Sequence, residues 1–483
     1  MNALRSVVKN AAWMAGAQWG MQVLQFGVSI VLARLLIPSD YGLVSMSATF
    51  TGVISLFASL GFGVALVERR EVDDDCICTA FWSTAGVGVF AFSLATVSAS
   101  LIGSFYGERR LVTIIQVAAC GLIISPLNDI ALSLLTRQMA FRAIASIEIG
   151  AALIAQTIAL ITAFTGFGVW SLVAATLASQ VARFFGFFYT VRWLPQFRFS
   201  RARFTELFSF SRYLVGSQLL NYFVRNLDNI LIGKVLGPVA LGYYDLAYQL
   251  TLKPIVLVSS VFTQPLFPVL VSLKDNKKRV AETYRSVVVY ISLITFPLLL
   301  GLALVAPEAV SCILGEKWVP VVPTLQILCV VGVMNCIATT VGTIYLSQGR
   351  SDIPFKWILG VGPVAYCAFF IGIQWGIEGV AASYAVFTAV TWIISHAIAN
   401  RLIELRADYF WSALMPATCA SLLMVGAVLG ARLLMSNWPL SMETKLFMLI
   451  AIGATVYCAT VLRGKGEEIV KVREYLITKF AFS

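Results

Sequence analysis

A helix needs about 20 mainly apolar residues to cross the hydrocarbon core of a membrane, and this chain supplies that length repeatedly. Fourteen such stretches can be marked: 11–33, 43–66, 79–103, 111–135, 143–165, 168–190, 213–234, 243–270, 287–306, 321–346, 355–374, 379–399, 411–435 and 446–462. In lipid every backbone N–H and C=O must be satisfied within the chain, which leaves helices as the spanning element for stretches this long. Only 12% of the 483 residues are charged and 59% are apolar, too little charge for a water-soluble surface of this size. The expected fold class is therefore an all-α polytopic membrane protein with about 14 transmembrane helices.

The net charge of +11 invites a nucleic-acid reading, but its distribution removes it. With the N-terminus inside, 25 of the 35 Lys and Arg residues fall in inner segments and seven in outer ones, and Arg183, Arg225 and Lys253 fall within spans. Cytoplasmic loops keep basic residues, so the basic charge reports topology, with both termini cytoplasmic. The nine cysteines lie mostly inside apolar runs, without the paired spacing and nearby histidines of a zinc site or a disulfide framework. The acidic run at 71–75 reads as a solvated loop rather than a metal site. Short outer loops leave no room for an extramembrane catalytic domain.

The stretch from Asn226 to Leu250 has a gapless counterpart 200 residues earlier. Gly16/Gly216, Gln18/Gln218, Ile30/Ile230, Leu36/Leu236, Pro38/Pro238 and Gly42/Gly242 coincide, and Arg34 stands where Lys234 does. In each copy an apolar helix is expected to end near the basic residue, turn at the proline, and restart after Gly42 or Gly242. Spans one to six and seven to twelve then form parallel halves, an arrangement that places a transport pathway between them. The expected organisation is an N-lobe over 1–200, a C-lobe over 201–405, and spans thirteen and fourteen with a cytoplasmic tail over 406–483. Each lobe opens with an amphipathic stretch, Leu4, Val7 and Val8 matching Phe204, Leu207 and Phe208, suited to a helix in the headgroup layer.

Ionisable side chains are expensive at membrane depth, so those that remain face a partner or a cavity. Arg225 and Asp228, three apart, share a helix face. They lie about 13 Å and 9 Å inward from Lys234, and Lys253 lies about 16 Å inward from Gly242, so the three can meet at mid-membrane. Two cations against one anion leave a positive surplus, which suits an anionic substrate. A second group comprises Asp129, Glu148 and Arg183, at similar depths in the first half. It reads either as a salt bridge pinning spans four to six or as a proton or sodium coupling site. Arg34 and Lys234 at the outer ends read either as snorkelling residues or as an outer gate. His396, the one histidine in the sequence, reads as structural.

LARLLIPSDYGLVSMS at 32–47, RR and CTAFW within 69–82, GFGVWSLV at 166–173 and DNILIGKVLGPVALGYYDLAYQL at 228–250 resemble the Wzx-type flippases. These form the polysaccharide-transport branch of the multidrug/oligosaccharidyl-lipid/polysaccharide (MOP) exporter superfamily, and the similarity runs over about residues 1–400. The resemblance implies two six-helix lobes around a central cavity that works by alternating access, often with an ion gradient, and no other cofactor. The cargo it implies is an undecaprenyl-diphosphate-linked oligosaccharide, moved across the bacterial cytoplasmic membrane for exopolysaccharide or lipopolysaccharide synthesis. Partners would be that lipid, membrane lipids, and the polysaccharide polymerase and co-polymerase. In such a cavity Arg225 and Lys253 would meet the diphosphate, with Asp228 tuning them. Two alternatives remain at this stage: a small-molecule exporter of the same fold, and a membrane-embedded polymerase or glycosyltransferase.

Overall fold

The computed structural model describes residues 20–69, 72–350, 352–435 and 438–463. The amphipathic start at Leu4–Val8 and the tail after Arg463 lie outside the described residues. Among those residues every regular element is a helix, and eleven stretches are long and apolar enough to cross a membrane. Two of these, 218–272 and 352–402, are 55 and 51 residues long. Each amounts to about 75–80 Å of helix, against ~30 Å of hydrocarbon. Each is also interrupted, the first at Gly237 (φ 82°, ψ −178°) and the second at a 3₁₀ turn over Ile373–Trp375. A shorter apolar helix, α1 (Gly20–Leu35), precedes the eleven.

The chain divides into two compact units, residues 1–242 and 243–483. The first contains α1, α2 (Pro38–Ala58), α3 (Phe62–Glu68), α4 (Asp74–Tyr106), α5 (Arg110–Ala118), α6 (Gly121–Arg137), α7 (Phe141–Phe164) and α8 (Trp170–Val191). It also contains the first part of α9 (Arg201–Ser272), so the division falls inside a helix.

Small residues make the close helix contacts. On α7 Ala151, Ala155, Ala159 and Ala163 are buried at four-residue intervals, and Val28 and Leu32 of α1, with Leu36 just after it, pack on the last two. Ala91 and Ala95 of α4 pack against Ala58, Ala119 and Leu122. Lipid tails are as apolar as leucine, so helices in a bilayer associate through packing of this kind rather than through exclusion from water.

Three expectations change here. The second helix of the turn begins at Pro38, in the first-turn position where its missing N–H costs nothing, with the Asp40 carboxylate accepting the Ile37 N–H at 3.2 Å. Gly42 and Gly242 are therefore inside helices, and do not precede them. The single span expected at 43–66 is broken at Leu60–Gly61, whereas that at 111–135 stays one membrane-length stretch, Arg110–Arg137, with a local turn at Ala119–Cys120. Finally, 201–209 is the first part of α9 rather than a separate surface helix. Leu207 is fully buried against Phe62, Ala65 and Leu66, and Phe204 packs edge-on to Phe62.

The second unit holds the rest of α9, α10 (Lys277–Ala309), α11 (Val322–Ser347), α12 (Asp352–Gly372), α13 (Gly376–Leu402), α14 (Ala407–Leu434) and α15 (Met442–Arg463). Helices α14 and α15 pack on α10 through Val305, Met424, Val428 and Leu449. The Arg432 guanidinium pairs with the buried Glu308 carboxylate at 2.5 Å and donates to the Leu304 carbonyl at 2.7 Å. The last two helices are thus built into the core of this unit.

Candidate functional site

Helix α2 and the first part of α9 run antiparallel in the first unit, and their contacts set out its most constrained region. A Cβ placed on Gly42 would stand 1.7 Å from the Pro238 carbonyl oxygen, and one on Gly242 would stand 1.9 Å from the Pro38 carbonyl oxygen. The two copies of the repeat turn are therefore each other's packing partners, in a reciprocal arrangement like that of a two-fold interface. Further along, the Tyr222 hydroxyl donates to the Ala48 and Thr49 carbonyls, at 3.0 and 3.1 Å, beside Gly52. Lys234 donates to the Phe105 carbonyl and lies over the Phe105 ring, 4.8 Å from its centroid. A cation at the C-terminal carbonyls of α4 is where a helix favours one, so the gate candidate Lys234 has a positioning role in this structure. Arg34 is exposed at the end of α1.

Arg225 is exposed and Asp228 is 7% exposed. Despite their three-residue spacing, no ion pair links them among the described residues, and Asp228 accepts the Asn229 N–H at 2.9 Å. Both belong to the first unit and Lys253 to the second. Lys253 interacts electrostatically with Asp245, two turns earlier on the same helix, and Gln249 donates to Asp245 at 2.7 Å. Asp245 was absent from the charge count made on the sequence. With it, the positive surplus no longer stands as an argument for an anionic ligand, and the weight of that reading moves to Arg225.

In the other charge group Arg183 pairs with Glu148 at 3.0 Å. Asp129 joins no ion pair among the described residues, so the expected trio is a pair. Arg183 and Glu148 line a cavity of about 380 Å³ with Gln22 and Gln25 of α1. Gln25 is the repeat counterpart of Arg225. The first half thus has a cation beside the equivalent position after all, supplied from α8. A second cavity, of about 240 Å³, is lined by Ser47, Thr51 and Ser55 of α2, Ser125 of α6, and Thr176 and Gln180 of α8. Sequence reasoning missed it, although hydroxyls at four-residue intervals on α2 share one face.

The opposite end of the first unit carries a collar of charges. Arg69 pairs with Glu206 at 2.6 Å, Arg203 with Asp73 at 2.6 Å, and Arg198 with Asp75 at 3.3 Å. Arg137 donates to the Leu66 and Arg69 carbonyls. Asp73 also caps α4 by accepting the Cys76 N–H at 3.0 Å. Asp73 and Asp75 of the acidic run are exposed, as expected of a solvated segment, and they also receive the arginines that open α9 and precede it. The Arg203 hydrogen bond holds the Asp73 carboxyl below the usual carboxylate range, and the Arg69 hydrogen bond does the same for Glu206. His396 is 2% exposed, with Nδ1 2.8 Å from the Trp392 carbonyl and its ring against Trp392 and Phe410.

With this geometry in hand, known proteins can be compared. The chain is 27% identical to the teichuronic acid biosynthesis protein TuaB of Bacillus subtilis over 94% of both chains. It is 25% identical to the lipopolysaccharide biosynthesis protein WzxC of Escherichia coli over 79% of this chain and 80% of that one. Its fold matches that of the lipid II flippase MurJ in an inward closed conformation, with a TM-score of 0.76 and 12% identity, over 93% of this chain and 98% of MurJ. The family model described as polysaccharide biosynthesis protein matches residues 31–323, and the chain belongs to that family.

Proposed function

We propose that the protein is a transporter, not an enzyme, that turns an undecaprenyl-diphosphate-linked oligosaccharide across the bacterial cytoplasmic membrane. The observation that carries this reading is the family match over residues 31–323 in a chain made of membrane-length helices. The fold shared with a lipid II flippase supports it, and so do relatives named for teichuronic acid and lipopolysaccharide synthesis. The chemistry is consistent with it. A diphosphate cannot cross hydrocarbon unaided, a polyprenyl tail never has to leave it, and exposed guanidinium groups bind phosphate in a forked geometry.

In this reading the chain crosses the membrane fourteen times with both termini cytoplasmic. The lobes are 1–200 and 201–405, followed by 406–483, and the repeat turns face outward. Arg225 is the first cation for the diphosphate. Lys253, tempered by Asp245, is the second, and Asp228 orients the polar face around Arg225. The Glu148–Arg183 pair is the candidate for proton or sodium coupling. The polymerase and co-polymerase that use the exported unit are its expected functional partners.

Vesicles holding the purified protein and a fluorescent lipid-linked oligosaccharide provide the test. Cargo should become accessible to an external quencher, with no new glycosidic bond. Arg225→Ala should abolish this at normal insertion levels, and Lys253→Ala should slow it less. Undiminished translocation by the double variant would remove both residues from the cargo path, and a new glycosidic bond would replace the transporter reading with a polymerase.

A further inference from the structure

The reciprocal contact between the repeat turns goes beyond packing. In an α-helix residues four apart lie on one face, so the Pro38 carbonyl and Gly42 form one strip of α2, and the Pro238 carbonyl and Gly242 form the same strip of α9. Each glycine stands where a Cβ would lie inside 2 Å of the other strip's carbonyl oxygen, and a Cβ on Gly242 would also come within 3.2 Å of the Gly42 nitrogen. Only two glycines at matching register permit this approach from both sides. Gly237, with φ 82°, lets the chain enter the second strip at an angle that other residues rarely adopt.

The contact has a second property. The atoms that meet are backbone, in weak C–H···O register, and the buried carboxylate of the strip, Asp40, accepts the Ile37 N–H of its own segment, a partner that moves with it when the strips part. A contact that excludes every added atom yet separates easily is suited to one that closes and opens in each working cycle. Next to it, Met46 is 1% exposed and stands beside Gly233, closed off while the strips touch.

We propose that Gly42 and Gly242, each seated on the proline carbonyl of the other repeat, form a backbone latch whose parting opens the outward side of the transporter. They are positioning residues, since neither touches cargo. The proposal rests on the transporter reading and on its outward placement of the turns.

The experiment uses Met46→Cys as reporter in whole cells, labelled with a membrane-impermeant maleimide and read at that residue by peptide mass. With both glycines present the thiol should stay unlabelled. Gly42→Ala or Gly242→Ala should raise labelling roughly 5–30-fold, the population change expected when a pair of weak contacts is lost. Unchanged labelling at normal protein levels would overturn the latch. A second arm keeps the glycines: Ser39→Cys with Val239→Cys, bridged by a bifunctional maleimide, should stop polymer export, and the singly substituted proteins should not. Export that continues at full rate while bridged would also overturn it. Labelling does not depend on cargo, so the latch and the transporter reading fail separately: unchanged labelling sinks the first, and a new glycosidic bond in the vesicle assay sinks the second.

Discussion

At one end of residues 1–242, α2 meets α9 most closely through backbone, Gly42 on Pro238 and Gly242 on Pro38. At the other end Arg69, at the close of α3, reaches Glu206 on α9, and Arg203 on α9 reaches Asp73. The same helix is thus held by shape at one end and by charge at the other. Shape complementarity without side chains has no slack, because the neighbouring atom is a carbonyl fixed in its own helix. Exposed ion pairs have ample slack, since long side chains can re-aim and water can replace either partner, and for that reason they contribute little. The end that tolerates least is consequently the one whose meeting atoms are backbone.

The largest effect should come from adding one methyl group. Gly42→Ala or Gly242→Ala is expected to cost about 1–3 kcal/mol of the closed arrangement, the usual range for forcing atoms into a filled core. Because both substitutions break the same contact, the double variant should cost clearly less than the sum of the singles. Gly52→Ala is the internal control. Its added carbon would meet the Tyr222 hydroxyl at 2.1 Å, but that is the far end of a side chain that can swing away. Thermal unfolding in detergent would show the order. A Gly52→Ala loss equal to that of Gly42→Ala would mean that the backbone contact is not special.

Much of this architecture could be read from residues alone. Long apolar runs and the gapless repeat follow from composition and period, which lipid enforces segment by segment. What could not be read were contacts between segments far apart in sequence. The echo of Pro38/Gly42 in Pro238/Gly242 marked two turns, but no local rule says that two similar turns will pack on each other. Arg225 and Asp228 have the spacing of a pair and do not form one with each other among the described residues. Arg183 chose Glu148 over Asp129 because orientation, not depth, decides which carboxylate a guanidinium reaches. Asp245 was overlooked because it sits near a span's end, where a charge looks unremarkable. The arginine partners of Asp73 and Asp75 could not be read because they lie more than 120 residues later.

A middle-sized effect belongs to Asp73, which does two things at the charged end. It caps α4 through the Cys76 N–H and pairs with Arg203. Asp73→Ala removes both, and the lost cap alone should cost about 1 kcal/mol. Asp73→Asn keeps an acceptor for the cap and loses only the charge, so it should stay close to the parent. Equal losses for the two variants would assign the stabilisation to the ion pair and reverse the ranking of shape over charge drawn here.

The smallest effect discriminates best between the two ends. The carboxyls of Asp73 and Glu206 are both held below their ordinary range, by Arg203 and Arg69 respectively. A carboxyl depressed in the folded state contributes stability at pH values above its unfolded range and loses it as pH falls toward the depressed value. The parent should therefore unfold slightly above Asp73→Asn/Glu206→Gln at neutral pH. That gap should narrow as pH falls below the ordinary carboxylate range toward the depressed values, and should also narrow at neutral pH in about 1 M salt, where the Debye length is near 3 Å. The gap between parent and Gly42→Ala should ignore both treatments, since the atoms that meet there are uncharged backbone. Melting curves of the three proteins across pH and salt would show it. A glycine gap that closes with salt would mean that charge also holds the turn end, and the contrast between the two ends of the unit would be lost.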